Sequence, residues 1–284
     1  MFTLRQYLLA LLDSRGLTRT LGEIDVCRDE QGRPCFSAGN SAAVFRIRLG
    51  GRIRSLRCYL RPMRHLKEIY GQRLLEKELY LHTSPETGVW VDTVLGDWIE
   101  GSTLHETVAQ AAALRDRECL QILVRLFDRL ALALVTDDRA HGDLKPENII
   151  VGDDGTLCPI DFDASYLPAF AGEISPELGT AAYQHPARTA ADFDERIDDY
   201  PAALISTALH ALAEDPTLWD RYGSSDGLLY TPQRIASDPA YRETLALFEK
   251  RGMAVQYRIA QLLTAPTLRL FGLAELLAEA VREK

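Results

Sequence analysis

Apolar residues at Leu4, Tyr7, Leu8, Leu11 and Leu12 recur at helical spacing, and Gly16 closes the helix they predict. After Gly22 the period changes. Val44-Phe45-Arg46-Ile47-Arg48-Leu49 alternates apolar with basic residues, and Ile53 to Leu60 does the same beyond Gly50-Gly51. Two alternating runs across a Gly-Gly pair predict a β-hairpin, which Pro62 terminates. A helical pattern then runs from Leu66 to about Glu78, and Gly88 to Ile99 reads as strand. The remainder is mostly helical. Cys119–Val135 predicts a strongly apolar, buried helix, Tyr200–Ala213 another, and Leu268–Glu283 an amphipathic tail. No repeat or low-complexity linker interrupts the chain. The pattern predicts an α+β protein with a small β-rich front half and a larger helical back half.

Composition narrows this picture. The 284 residues suit one large domain or two lobes, and 46% hydrophobic with 26% charged residues excludes wholesale disorder. A formal net charge of −9 argues against a nucleic-acid partner, which needs clustered Lys and Arg. The basic stretch Arg46 to Lys67 alternates with apolar residues and reads as one face of a sheet. Cysteines 27, 35, 58, 119 and 158 form no CxxC pair and are odd in number. They predict neither a disulfide framework nor a zinc site, and a reducing, cytoplasmic setting follows. The apolar run Tyr7–Leu12 is short, is closed by Asp13 and precedes no small-residue cleavage site, so it reads as a helix and not a signal peptide. No segment reaches the roughly 20 apolar residues that span a bilayer, so no membrane partner is expected.

The chemistry concentrates in His141–Val151, HGDLKPENIIV. Asp143 and Asn148 stand five apart across Pro146, which places them on one irregular loop. Ile149-Ile150-Val151, the turn Gly152–Gly155 and the run Thr156–Ile160 predict a hairpin that ends on Asp161. Asn148 would precede its first strand and Asp161 follow its second, so two oxygen ligands meet at one end, as a hard cation requires. A carboxylate, a cation and paired oxygen ligands are what phosphoryl transfer asks of a protein.

HGDLKPEN followed by Asp161-Phe162-Asp163 resembles the catalytic loop and metal-binding triplet of the protein kinase superfamily, especially Ser/Thr kinases. The resemblance implies a bilobal kinase-like fold, with an N-terminal helix over 1–20, an N-lobe over 21–100 and a C-lobe over 101–284. It implies an ATP-dependent kinase using Mg2+, or Mn2+, on a protein substrate. It makes Asp143 the catalytic base, Lys145 a γ-phosphate contact, and Asn148 and Asp161 the metal ligands. Two positions depart from the pattern. Gly142 stands where an Arg is usual, and Asp163 replaces a Gly, reading as a further ligand or, by preference, a solvated carboxylate. His141 is expected to pack beneath the loop.

Ser37-Ala38-Gly39-Asn40-Ser41-Ala42-Ala43-Val44 resembles a kinase glycine loop that keeps only its middle glycine, Gly39. Ser55-Leu56-Arg57 aligns with the family's Ala-x-Lys, making Arg57 the phosphate-binding cation, with Arg61 as the other register. Its acidic partner would be Glu68 or Glu76 on the following helix. Gly88–Gly101 resembles the strand and hinge of a kinase, which implies that Asp97 and Trp98 offer backbone groups to an adenine edge, with Gly96 behind, while Val44 and Ile150 are candidates to sandwich the ring. Further on, Gly179–Pro186 resembles the end of an activation segment, with Ala187 in place of a structural Glu. Asp198 resembles the buried Asp that ties down the catalytic loop in kinases; a helix N-cap reads equally well, and one residue can serve as both. Leu212–Tyr230 resembles small bacterial kinase-like proteins. A pseudokinase acting as a nucleotide- or partner-binding module, and a small-molecule kinase of the antibiotic or choline kinase type, are the alternatives.

Overall fold

The first helix, α1 (Leu4–Leu12), starts at a capping box: Thr3 Oγ1 accepts from the Gln6 N–H, and Gln6 Oε1 accepts from the Thr3 N–H. The computed structural model to which it belongs describes residues 1–282. It divides into two compact units, Met1–Ile99 and Glu100–Lys284, and the fold class is α+β.

In the N-terminal unit, β1 (Asp25–Val26), β2 (Phe36–Ala38), β3 (Ala42–Leu49) and β4 (Arg52–Tyr59) come first. Then follow the five-residue helix α2 (Leu66–Tyr70), β5 (Leu74–His82) and β6 (Gly88–Asp97). The sheet order is β1-β3-β4-β6-β5, with β2 also on β3, and every pairing is antiparallel. Gly50 and Gly51, both at positive φ, make the tight turn of the β3–β4 hairpin, as the sequence predicts. One sheet face, with Phe45, Ile47, Leu56, Cys58, Leu79 and Leu81, packs with Tyr7, Ala10 and Leu11 of α1 into one core. The other face carries Val44, Arg46, Ser55 and Arg57, since side chains alternate along a strand.

One predicted helix is corrected. The pattern Leu66 to Glu78 forms a helix only to Tyr70, passes through a 3-10 turn at Gly71–Arg73, and becomes β5. Glu76 therefore lies on an exposed part of a strand, not on a helix. Lys77, at φ 50°, marks an irregularity in the β5–β6 register between Leu75 and Leu79. Past it, Glu78 is 1% exposed. Its carboxylate accepts the N–H groups of Arg19, Thr20 and Leu21 and the Thr20 hydroxyl, anchoring the segment after α1.

The C-terminal unit opens with β7 (Gly101–Thr103), α3 (Leu104–Leu114) and α4 (Arg117–Thr136). β8 (Ile149–Gly152) and β9 (Leu157–Pro159) complete a three-stranded sheet, β7-β8-β9. The helices α5 (Asp199–Glu214), α6 (Leu218–Tyr222), α7 (Pro239–Arg251), α8 (Ala254–Leu262) and α9 (Leu273–Arg282) follow. Glu283, the end of the predicted tail, lies outside the described residues. Residues 199–213 of α5 are buried on all sides, so this helix is the axis of the C-terminal core. The buried Asp128 of α4 accepts from Ser206 Oγ at 2.8 Å and contacts His210 Nε2 at 2.9 Å on α5. No helix among the described residues is long and apolar enough to cross a membrane.

Candidate active site

The loop before β8 is held through its backbone groups by residues distant in sequence. Ala140 and Tyr166 exchange both backbone hydrogen bonds, fixing the loop's start against the chain that leaves β9. Asp198, 1% exposed, accepts the N–H groups of His141 and Gly142 on its two oxygens. It begins α5 but makes no side-chain cap, so its role is in the loop and the N-cap alternative falls. Burial pushes the Asp198 carboxyl above its ordinary range, against the pull of His141, the two N–H donors and Arg188. His141 packs beneath the loop as expected. Its Nε2 lies 2.8 Å from the Ile160 carbonyl and its Nδ1 accepts the Asp143 N–H at 3.3 Å, an arrangement that requires the Nε2–H tautomer. Its ring centroid is 5.0 Å from that of Phe162.

Asp143, Lys145, Asn148 and Thr180 form one network. Asn148 Nδ2 donates to the Asp143 carbonyl at 2.9 Å and to Asp143 Oδ2 at 3.2 Å. Asp143 Oδ1 accepts the Thr180 N–H at 2.6 Å. Lys145 Nζ donates to Thr180 Oγ1 at 2.8 Å and stands 3.3 Å from Asp143 Oδ2. The carboxylate side chain is 17% exposed, so it is held in place yet open on one side. Asn148 spends its amide N–H groups on Asp143, which leaves Oδ1 as the acceptor that a cation would need. Its own carbonyl accepts the Ile160 N–H at 2.8 Å, tying the start of β8 to the residue before Asp161. Asp161 adopts φ 68°, ψ 61°, a left-handed turn that Asp tolerates better than most residues. The hairpin β8–β9 thus brings Asn148 and Asp161 to the same end.

Both departures from the kinase pattern acquire a physical reading. Gly142 has φ +80°, and a Cβ there would lie 2.8 Å from the Ala164 carbonyl carbon and closer still to its oxygen. No side chain fits, so the missing Arg is a steric necessity of this loop. Asp163 is 3% exposed, so its preferred reading as a solvated carboxylate is wrong. Gly179 is equally constrained: at φ +70°, its Cβ would stand 2.8 Å from the Gly142 carbonyl oxygen and 3.0 Å from Asp143 Oδ1.

The N-terminal candidates divide. Gly39 sits in the tight β2–β3 turn, where its N–H donates to the Ala42 carbonyl at 2.9 Å. Val44 and Arg57 are directly opposed across β3 and β4, on the face away from α1. The Arg57 guanidinium lies 5.9 Å from the Tyr59 ring centroid. The alternative cation, Arg61, falls beyond the end of β4. Ser55 and Gly96 are paired, and a Cβ on Gly96 would stand 2.8 Å from Ser55 Oγ. The Asp97 carbonyl already accepts from Ser55 Oγ at 3.1 Å, while its exposed carboxylate pairs with Arg54 at 2.9 Å. Trp98 is half-buried beneath the Arg46 guanidinium, 5.6 Å from its ring. Glu68 is exposed on α2, and Glu76, exposed on β5, stands 3.5 Å from Lys67 Nζ. In the C-terminal unit, Ile150 is half-buried on β8 between Thr103 and Cys158.

Sequence reasoning missed Arg188. It is 9% exposed, and its Nη1 donates to the Gly142 carbonyl at 3.0 Å and to Gln184 Oε1. Its contact lies 46 residues away, so nothing local in the sequence signals it.

No protein-family model matches the chain. CBL-interacting protein kinase 17 of Oryza sativa subsp. japonica is 28% identical over 172 residues, covering 57% of this chain and 35% of the relative. Serine/threonine-protein kinase PknL of Mycobacterium tuberculosis is 34% identical over 113 residues, covering 38% of this chain and 27% of the relative. The chain thus matches only about a third of the length of these curated relatives. The partial similarities support a kinase-like relationship.

Proposed function

We propose that this chain is a bilobal, kinase-like phosphotransferase that uses ATP and Mg2+ to phosphorylate Ser or Thr of a protein. The observation that carries the reading is the geometry around Asp143: a carboxylate oriented by Asn148, Lys145 and Thr180, at the end of a hairpin that returns on Asp161. Asp143 orients the attacking hydroxyl and takes its proton. Lys145, 3.3 Å from that carboxylate, offsets charge that develops on the transferred group. Asn148 Oδ1 and the Asp161 carboxylate are the pair that would hold the cation. Among the described residues no cluster of three or more His, Cys, Asp or Glu side chains suits a metal. A two-oxygen set fits Mg2+, or Mn2+, which retains water and takes phosphate oxygens for its other positions. When bound, the nucleotide and its metal supply the activated phosphoryl group and neutralise its charge.

The N-terminal unit fits a polyphosphate in its charge. It carries 15 Lys and Arg against 11 Asp and Glu, whereas the C-terminal unit has 17 against 30. In this reading Gly39 and Arg57 face the phosphates, and Val44, Asp97 and Trp98 face the adenine. Five free thiols suit a cytoplasmic setting. A second reading, a nucleotide- or partner-binding module with feeble transfer, is favoured by one observation: α2 is a five-residue helix, and its Glu68 is exposed. Transfer of labelled γ-phosphate, compared with Asp143→Ala and Asp161→Ala, separates the two.

A further inference from the structure

The geometry points to Arg188 as a positioning residue for Asp143: it fixes the carbonyl of the Gly142–Asp143 peptide, next to the peptide whose N–H Asp198 holds. The inference rests on the proposed phosphotransfer only for its kinetic consequence, not for the clamp itself.

The loop peptides are pinned one by one. The His141–Gly142 peptide has its N–H on Asp198 and its carbonyl on Ser165 Oγ at 3.3 Å. The next peptide, which carries Asp143, has its N–H on His141 Nδ1 and its carbonyl on Arg188 Nη1 at 3.0 Å. Gly142 lies between the two at φ +80°, and a glycine resists rotation of its flanking peptides less than any other residue. The conformation must therefore be imposed from outside, and Arg188 is what grips the carbonyl. A turn of that peptide would swing Asp143 out of reach of Asn148 and Thr180.

The guanidinium is placed at some cost, which argues against an incidental contact. Arg188 Nε and Nη2 are buried without a hydrogen-bond partner. Burial pulls its pKa down, and the carboxylates of Asp198, Asp143, Asp192 and Asp194 act against that pull. Asp143 lies in the loop, and Asp198 is the carboxylate that accepts the loop's His141 and Gly142 N–H groups. Arg188 also donates to Gln184 in the segment whose Thr180 N–H holds Asp143, so one side chain braces both strands of chain around the carboxylate.

The test uses the full chain as wild type, Arg188→Ala and Arg188→Lys, with three readouts. Hydrogen exchange should quicken in peptides spanning 139–148 and 179–186 of Arg188→Ala, while α4 stays protected. Steady-state transfer should show kcat reduced about 10- to 100-fold with the KM for ATP within about twofold, as misplacement of a base by about 1 Å predicts. Arg188→Lys, which keeps a donor and a charge, should restore part of both, and it carries the test if the Ala variant does not fold. Unchanged exchange in 139–148 overturns the clamp. A kcat loss matched by a rise in KM, or by faster exchange throughout the C-terminal unit, assigns Arg188 to general stability and also overturns it. If the wild type transfers no phosphate, the proposed function fails and the exchange data alone decide the clamp.

Discussion

Replacing Gly142 by Ala sets the structure against the kinase motif that the loop resembles, because that motif has a side chain at this position and the structure leaves no room for one. A residue with a Cβ at φ +80° meets a left-handed penalty of about 1–2 kcal/mol. The new carbon would also stand 2.8 Å from the Ala164 carbonyl carbon and 3.2 Å from Ala164 Cβ, inside normal contact distance. Overpacking of this kind costs about 1–3 kcal/mol after relaxation. Together they predict a loss of about 2–5 kcal/mol, a large share of the 5–15 kcal/mol typical of a folded protein. The assay is urea unfolding followed by Trp219, which belongs to the C-terminal unit and lies 5.7 Å from the His105 ring. Trp90→Phe and Trp98→Phe in the background remove the signal of the N-terminal unit. At a slope of about 3 kcal/mol/M, a loss of 3 kcal/mol lowers the midpoint by about 1 M. Gly142→Arg, the substitution that would complete the motif, should cost at least as much. A Gly142→Ala protein within about 0.5 kcal/mol of wild type would refute the steric reading of this loop.

Two further outcomes follow from buried carboxylates. Asp199 is 3% exposed, and burial raises its carboxyl to about 6 although the Leu270 N–H donates to it at 3.1 Å. The folded state therefore binds its proton more tightly than the unfolded chain near 3.9, so this group's contribution is best below about pH 4. That contribution falls by about 2–3 kcal/mol as pH rises through 4 to 6. Asp199→Asn should flatten that part of the stability–pH curve and stabilise the protein at pH 7; an unchanged slope between pH 4 and 6 contradicts this. Glu78→Ala strips the Thr20 and Leu21 N–H groups of their carboxylate acceptor, while Arg19 retains the Glu78 backbone carbonyl. A loss of about 2–4 kcal/mol in unfolding free energy is expected, with Glu78→Gln in between, and a loss below 1 kcal/mol would show that water replaces the carboxylate freely.

Local periodicity made the β3–β4 hairpin, α4, α5 and the β8–β9 hairpin legible, because each is a regular element whose apolar residues repeat at its own period. Leu66–Glu78 was not legible for a specific reason. Leu66, Tyr70 and Leu74 are spaced by four, which reads as helix, and the irregularity at Lys77 hides the alternation that continues in Leu79 and Leu81. The candidate site was legible where its residues lie close in sequence: Asp143, Lys145 and Asn148 share a loop, and the hairpin length sets Asp161. What could not be read is long-range. The burial of Asp163, the choice of Asp198 for the loop over a helix cap, and the grip of Arg188 on Gly142 all depend on chain segments that meet only in the folded state.

The most direct measurement of the central claim is γ-phosphate transfer from labelled ATP, with Mg2+ present, to the chain itself and to a generic protein acceptor. Wild type should label either target. Chelation of the metal, Asp143→Ala and Asp161→Ala should each reduce the label at least about 100-fold, as expected when a base or a metal ligand is lost from phosphoryl transfer. Equal label in wild type and Asp143→Ala would contradict the account.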